Sequence, residues 1–194
     1  MGYHRAGFEV VGVDIKPQPH FPFKFYQADA LEFPLEGYDA YHASPPCQLW
    51  ARGHSPYRNS YPDLISMVRG RLIQANHPWV IENVPNAPIR ADIKICGCQV
   101  GLPHIRRVRH FETNWICPNT LNEMHNHSQK SISVTGTGTP TGTWKSWGRA
   151  LKLLEFQQAM GIDWMNRKEL SEAIPPAYTE YIGKYLLMSV EGKK

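Results

Sequence analysis

Apolar and polar positions along the chain fall into short runs, each closed by a turn signal. Phe8-Glu-Val-Val-Gly-Val-Asp14 is a β-branched run ending in an acid, and Lys24-Phe-Tyr-Gln27 leads into Ala28-Asp29-Ala30. Tyr38-Asp-Ala-Tyr-His-Ala43 stops at the turn Ser44-Pro-Pro-Cys-Gln48. Leu64, Ile65, Val68, Leu72 and Ile73 recur at helical spacing between Asp63 and Asn76. Trp79-Val-Ile-Glu-Asn-Val84 then reads as a strand between Pro78 and Pro85. Strand, turn, helix and strand in succession predict an α/β domain with a mainly parallel sheet. Helical spacing returns through Leu151, Leu154 and Met160, with Gly161 as the stop, and a last helix is predicted from Pro175 or Pro176 to about Met188. Between Thr113 and Gly148 the chain is rich in Asn, Thr, Gly and Ser, most of all at Thr135–Thr143, which predicts a loop or a small irregular lobe.

Composition sharpens this picture. The chain has 194 residues, one domain's worth, and 42% hydrophobic residues allow a real core. Sixteen prolines, roughly 8% against a usual ~5%, favour short elements joined by shaped loops. Twenty-one Lys and Arg against 17 Asp and Glu give a net charge of +4, which suits an anionic partner without demanding one. No apolar run of about 18 residues exists, so no membrane contact is expected. The start, Met1-Gly-Tyr-His-Arg-Ala-Gly-Phe8, has no signal-peptide pattern, and four scattered cysteines (Cys47, Cys96, Cys98, Cys117) point to a reducing cytoplasm.

Three places carry residues able to do chemistry. Ser44-Pro45-Pro46-Cys47-Gln48 puts a thiol in a proline-stiffened loop at the C-terminal end of a strand, the edge of open α/β sheets where ligands bind. A half-buried small hydrophobe is the alternative reading of any single cysteine. Glu82-Asn83-Val84 closes the next strand after one helix, and parallel topology would set thiol and carboxylate at one mouth. A glutamate ending an otherwise apolar strand needs a polar partner. In Arg107-Val108-Arg109-His110-Phe111, alternation puts both arginines on one side, as the charged face of an edge strand or as partners of a carboxylate or base edge.

In that order, Pro46-Cys47-Gln48, Glu82-Asn83-Val84 and Arg107-Val108-Arg109 resemble the signature blocks of DNA cytosine-C5 methyltransferases, above all their compact bacteriophage forms. Arg149-Ala-Leu…Glu155…Gln158-Ala-Met-Gly161 and Ala173-Ile-Pro175-Pro176 are similar to the family's closing blocks. The resemblance implies a Rossmann-like sheet that binds S-adenosylmethionine, with a small irregular target-recognition insertion. It divides the chain into a catalytic core (1–112), a recognition region (113–148) and C-terminal helices completing the core (149–194). It implies that Cys47 adds to C6 of a cytosine flipped out of double-stranded DNA, so that C5 can take a methyl group. Glu82 matches the glutamate at N3 and the exocyclic amine, and Arg109 and Arg107 match arginines at the O2 edge and the active-site loop. Pro46, Gln48 and Asn83 are expected at the base. Asp14, Ile15, Asp29 and again Pro46 are expected at the cofactor, although a lone Asp is also a common cap or turn acid.

The chain also departs from that pattern. The family opens with a strand and a Gly-rich loop, roughly Phe-x-Gly-x-Gly, whereas this chain begins in what resembles the helix after the loop. The sheet is therefore expected to lack its usual first strand, leaving two central strands with exposed edges or paired directly. A longer reading frame, a shortened chain or a partner chain would each account for the loop; otherwise the protein is expected to be a monomer that binds the cofactor poorly. A non-catalytic DNA-binding homologue that has lost cofactor binding, and a different donor chemistry at the same carbon, remain open alternatives. Ile105 stands where the family often has glutamine, and Glu172 where it often has asparagine, so Glu172 is left out of the cofactor site. The short recognition region predicts a short target read partly through phosphate contacts from Lys130 and Lys145, with Trp144 and Trp147 as packing residues or base-stacking platforms. Cys96-Gly97-Cys98, Cys117, His125 and His127 match no standard zinc spacing. No metal is expected.

Overall fold

Each short apolar run becomes a short strand, because prolines and turn residues close it within a few positions. The computed structural model describes residues 1–50, 62–118, 121, 125–134 and 147–192. In chain order the elements are α1 (Gly2–Arg5), β1 (Val11–Asp14), β2 (Lys24–Gln27), β3 (Tyr41–Ala43), α2 (Ile65–Ala75), β4 (Trp79–Asn83), β5 (Ile93–Ile95), a 3-10 turn (Gly97–Val100), β6 (Arg109–Thr113), α3 (Leu153–Met160), α4 (Arg167–Glu172) and α5 (Pro176–Glu191). The protein is α/β, as its patterning predicts. Gly161 ends α3 in the left-handed region at φ 67°, where an L side chain is strained. No helix among the described residues is long and apolar enough to cross a membrane.

The sheet comes in two pieces. β1 pairs with β2 in parallel, and a four-stranded sheet runs in the order β3-β4-β6-β5. β3 and β4 are parallel, but β4 with β6 and β6 with β5 are antiparallel, which corrects the expectation of a mainly parallel sheet. The physical reason is the connection. A parallel return needs a crossover such as α2 between β3 and β4, whereas β5 and β6 are joined by a 3-10 turn and a loop, which suffices for antiparallel pairing. Among the described residues β1 pairs only with β2 and β3 only with β4, so each leaves one edge without a strand partner. Direct pairing of the two does not form.

Strand β4 is buried at all five positions, because helices cover both faces of its sheet. Trp79 and Ile81 pack with Leu72 of α2. Val80, Ile93, Ile95 and Phe111 pack on the other face against Tyr178, Ile182 and Leu186, a stripe of three residues spaced four apart on α5. Each such side chain stabilises the fold by about 1.5–3 kcal/mol relative to exposure. A third cluster joins Ile105, Ile132 and Val134 to Phe156, Met160 and Leu170, tying the middle of the chain to α3 and α4.

Candidate active site

Parallel pairing sets the geometry of the site. Ala43 lies opposite Ile81, so the chain leaves β3 into Ser44–Gln48 beside the end of β4, where Glu82 stands. Pro45 is buried, and Asn83 Nδ2 donates to its carbonyl at 3.0 Å while Asn83 Oδ1 accepts from Val84 N at 2.9 Å. Asn83 is expected at the substrate; it is wholly buried and locks the proline loop to the strand end. Beyond that lock, Cys47 sits half-buried against a small apolar cluster of Ile65, Val84 and Ala87, on the wall of a cleft of about 2210 Å³.

Glu82 reaches the same cleft with only 5% of its surface exposed. Arg109 Nε lies 2.9 Å from its Oε1, and Ser44 hydrogen-bonds its carboxylate. Burial pushes the Glu82 carboxyl above its ordinary value of 4.5, against the pull of Arg109, then Ser44 and Arg107. A glutamate held this way keeps affinity for a proton that an exposed one lacks.

The two arginines divide their work. Arg109 is the partner of Glu82. Arg107 donates to the carbonyls of Ser171 (2.9 Å) and Val134 (3.3 Å), and its own carbonyl accepts from the Tyr178 hydroxyl at 2.5 Å. Burial, then the Arg109 charge, lower Arg107 to about 10. Arg107 therefore fastens three segments at the cleft wall, though it also lines the cleft.

Behind Glu82 lies a polar chain. Ser44 Oγ is 2.9 Å from His42 Nε2, and His42 Nδ1 is 2.7 Å from the Tyr3 hydroxyl. Burial lowers His42 to about 4, so at neutral pH its uncharged ring bridges the two hydroxyls. Burial, then the Glu82 charge, raise the Tyr3 hydroxyl. Sequence reasoning missed all three. The i, i+2 spacing of His42 and Ser44 on one strand face carries a signal, but Tyr3 arrives from the distant α1 with none.

The residues expected at a cofactor line the same cleft. Asp14 ends β1 and accepts from Lys16 N (2.8 Å) and Gln18 Nε2 (3.2 Å); Asp29 accepts from Leu31 N at 2.8 Å. Ile15 presents a side chain 64% exposed on the cleft wall, an apolar surface suited to a flat ring. Asp14, Ile15, Asp29, Pro46, Gln48 and Cys47 thus line one continuous cleft with Glu82, Arg107 and Arg109, and Glu172 lines it too. Lys130 Nζ lies 5.8 Å over the Trp147 ring, whose indole N–H donates to Ser131 O at 3.0 Å. Trp144 and Lys145 lie outside the described residues.

No family model and no curated protein matches the chain in sequence. In structure it is similar to a crystallised triple mutant of Spodoptera frugiperda DNMT2, at a TM-score of 0.61, with 13% identity over 96% of each chain. The fold matches that of DNMT2. At that identity the likeness carries architecture, and the chemistry must be argued from the cleft itself.

Proposed function

We propose that this protein is an S-adenosylmethionine-dependent methyltransferase acting on C5 of a cytosine flipped out of double-stranded DNA. The observation that carries the reading is the thiol of Cys47 sharing one cleft with the buried Glu82–Arg109 pair. Cys47, as thiolate, would add to C6 while Glu82 holds N3 and the exocyclic amine, with Arg109 keeping that carboxyl in place. The electron pair displaced from the C5–C6 bond makes C5 nucleophilic. S-adenosylmethionine, held by Asp14, Ile15 and Asp29, would supply the methyl group at that carbon. Loss of the C5 proton and elimination of the Cys47 thiolate then restore the aromatic ring. The likeness to DNMT2 and the exposed Ile15 on the same cleft support a methyltransferase reading.

Trapping tests it. On duplex DNA carrying 5-fluorocytosine, the fluorine blocks the final elimination, so the protein should form a covalent adduct that requires S-adenosylmethionine and is lost in Cys47→Ala. DNA binding without any adduct would instead favour a non-catalytic homologue. That second reading draws on the edges of β1 and β3 that have no strand partner among the described residues.

A further inference from the structure

Cys96, Cys98, His125 and His127 match no standard zinc spacing along the chain, but the fold brings them together. β5 ends at Ile95, and Cys96 (φ −112°, ψ 149°) leads into the 3-10 turn Gly97–Val100, which swings Cys98 back towards Cys96. Gly97 makes that turn possible, since a Cβ would fall 2.3 Å from Ile105 O and 2.9 Å from Leu102 O. The four ligand atoms of Cys96, Cys98, His125 and His127 all lie within 4.8 Å of one another.

We propose that these four side chains bind one zinc ion as a closed structural site. The donor set of two thiolates and two imidazoles is a zinc set, and its charge neutralises the ion. Bond lengths of about 2.3 Å to sulfur and 2.0–2.1 Å to nitrogen require tetrahedral S···N edges of about 3.5 Å. Cys96 Sγ to His127 Nε2 and Cys98 Sγ to His125 Nδ1 are each 3.5 Å. Backbone N–H groups of Cys98 and Gly97 donate to the Cys96 sulfur, the outer-shell support a thiolate ligand needs. Cys96 is wholly buried while the histidines are exposed, so an ion can enter from the histidine side. Binding replaces two thiol protons: two Cys–SH and one Zn²⁺ give the zinc dithiolate and two H⁺. Cys117 is not in the cluster.

Four protein ligands leave no open position, so the role is to hold structure. The histidines begin the segment that continues through residues 128–134. Arg106 donates to the carbonyls of His127 and Gln129, Ile132 N donates to His104 O at 2.8 Å, and Val134 accepts from Arg107. Residues 131–134 line the cleft. Zinc would clip the start of that wall to the end of β5. This holds whatever reaction the cleft performs.

The test uses the full chain, expressed without a histidine tag and purified under reducing conditions. After gel filtration with a weak chelator, metal analysis should find about one zinc per chain. Cobalt added to the zinc-free protein should give the visible bands of a tetrahedral site with sulfur-to-metal charge transfer. Cys98→Ser and His125→Ala should each lower zinc to below about a tenth per chain, whereas Cys117→Ser keeps a full equivalent. Removing zinc from the wild type should lower its Tm by about 5 °C or more. A folded wild type with no zinc and no tetrahedral cobalt spectrum overturns the proposal, as does zinc retained in His125→Ala. So does a Cys96–Cys98 disulfide in the freshly purified chain. The wild-type measurements stand even if a variant fails to fold.

Discussion

Two buried glutamates sit on neighbouring strands of the same sheet and do different things. Glu82 in β4 lies opposite Phe111 in β6, and Glu112 in β6 lies opposite Ile81 in β4, so the two carboxylates point to opposite faces. Glu112 is 1% exposed and saturated: Arg69 grips both oxygens at 3.0 and 2.8 Å, Arg90 N donates at 3.1 Å, and the Arg90 guanidinium stands 3.5 Å away. Among the described residues Glu82 has one arginine contact and one serine, and it also lines the cleft. A fully satisfied buried carboxylate locks elements together; one that lines a cleft beside a thiol can meet a ligand and a proton.

Glu82→Gln should therefore cost about 10²- to 10⁴-fold in methyl-transfer rate, measured by radiolabel incorporation into duplex DNA, while far-ultraviolet circular dichroism stays unchanged. Glu112→Ala should do the reverse. Leaving two arginines around an empty buried position should cost about 3–5 kcal/mol in urea unfolding, with activity per folded molecule retained. Equal loss of activity in both variants would break the comparison.

A smaller effect distinguishes the two acids by pH. The folded-state value of Glu82 is raised above 4.5 by burial, so its contribution to stability is fully present below the unfolded value and fades as pH rises through the folded one. Urea midpoints of wild type and Glu82→Gln, followed from about pH 4 to about pH 8, should shift relative to each other, the wild type losing ground as pH rises. The smallest effect belongs to an exposed acid–arginine pair. Arg149, then the Lys152 N–H, hold Glu155 down to about 2, so its contribution is present above 4.5 and lost as pH falls towards 2. Glu155→Gln should blunt the acid-denaturation curve only in that window, and a large change near neutrality would contradict it.

The parts of this site legible along the chain are those set by local rules. A proline pair after an apolar run makes a stiff strand-end loop, so Cys47 could be placed without knowing the fold. A lone acid closing the apolar β4 marked Glu82, and Gly161 marked the end of α3. What stayed hidden depended on partners brought from afar. Alternation placed Arg107 and Arg109 together, yet β6 starts only at Arg109, and packing against Ser171 and Val134 draws Arg107 away from Glu82. The hydrogen bond from the Asn83 amide to the Pro45 carbonyl joins residues 38 positions apart, and no local pattern announces it.

By itself the amino-acid sequence determined the strands β1 to β4, the helices α2, α3 and α5 and the chemical groups at the ends of β3 and β4, because these follow from preferences within a few residues. It did not announce β5 or α4. Tertiary structure alone decided the antiparallel half of the sheet, the saturation of Glu112, the Tyr3–His42–Ser44 chain and the meeting of Cys96 and Cys98 with His125 and His127. Each depends on distant segments packed at fixed separation, and hydrogen bonds and metal ligation depend steeply on distance and angle.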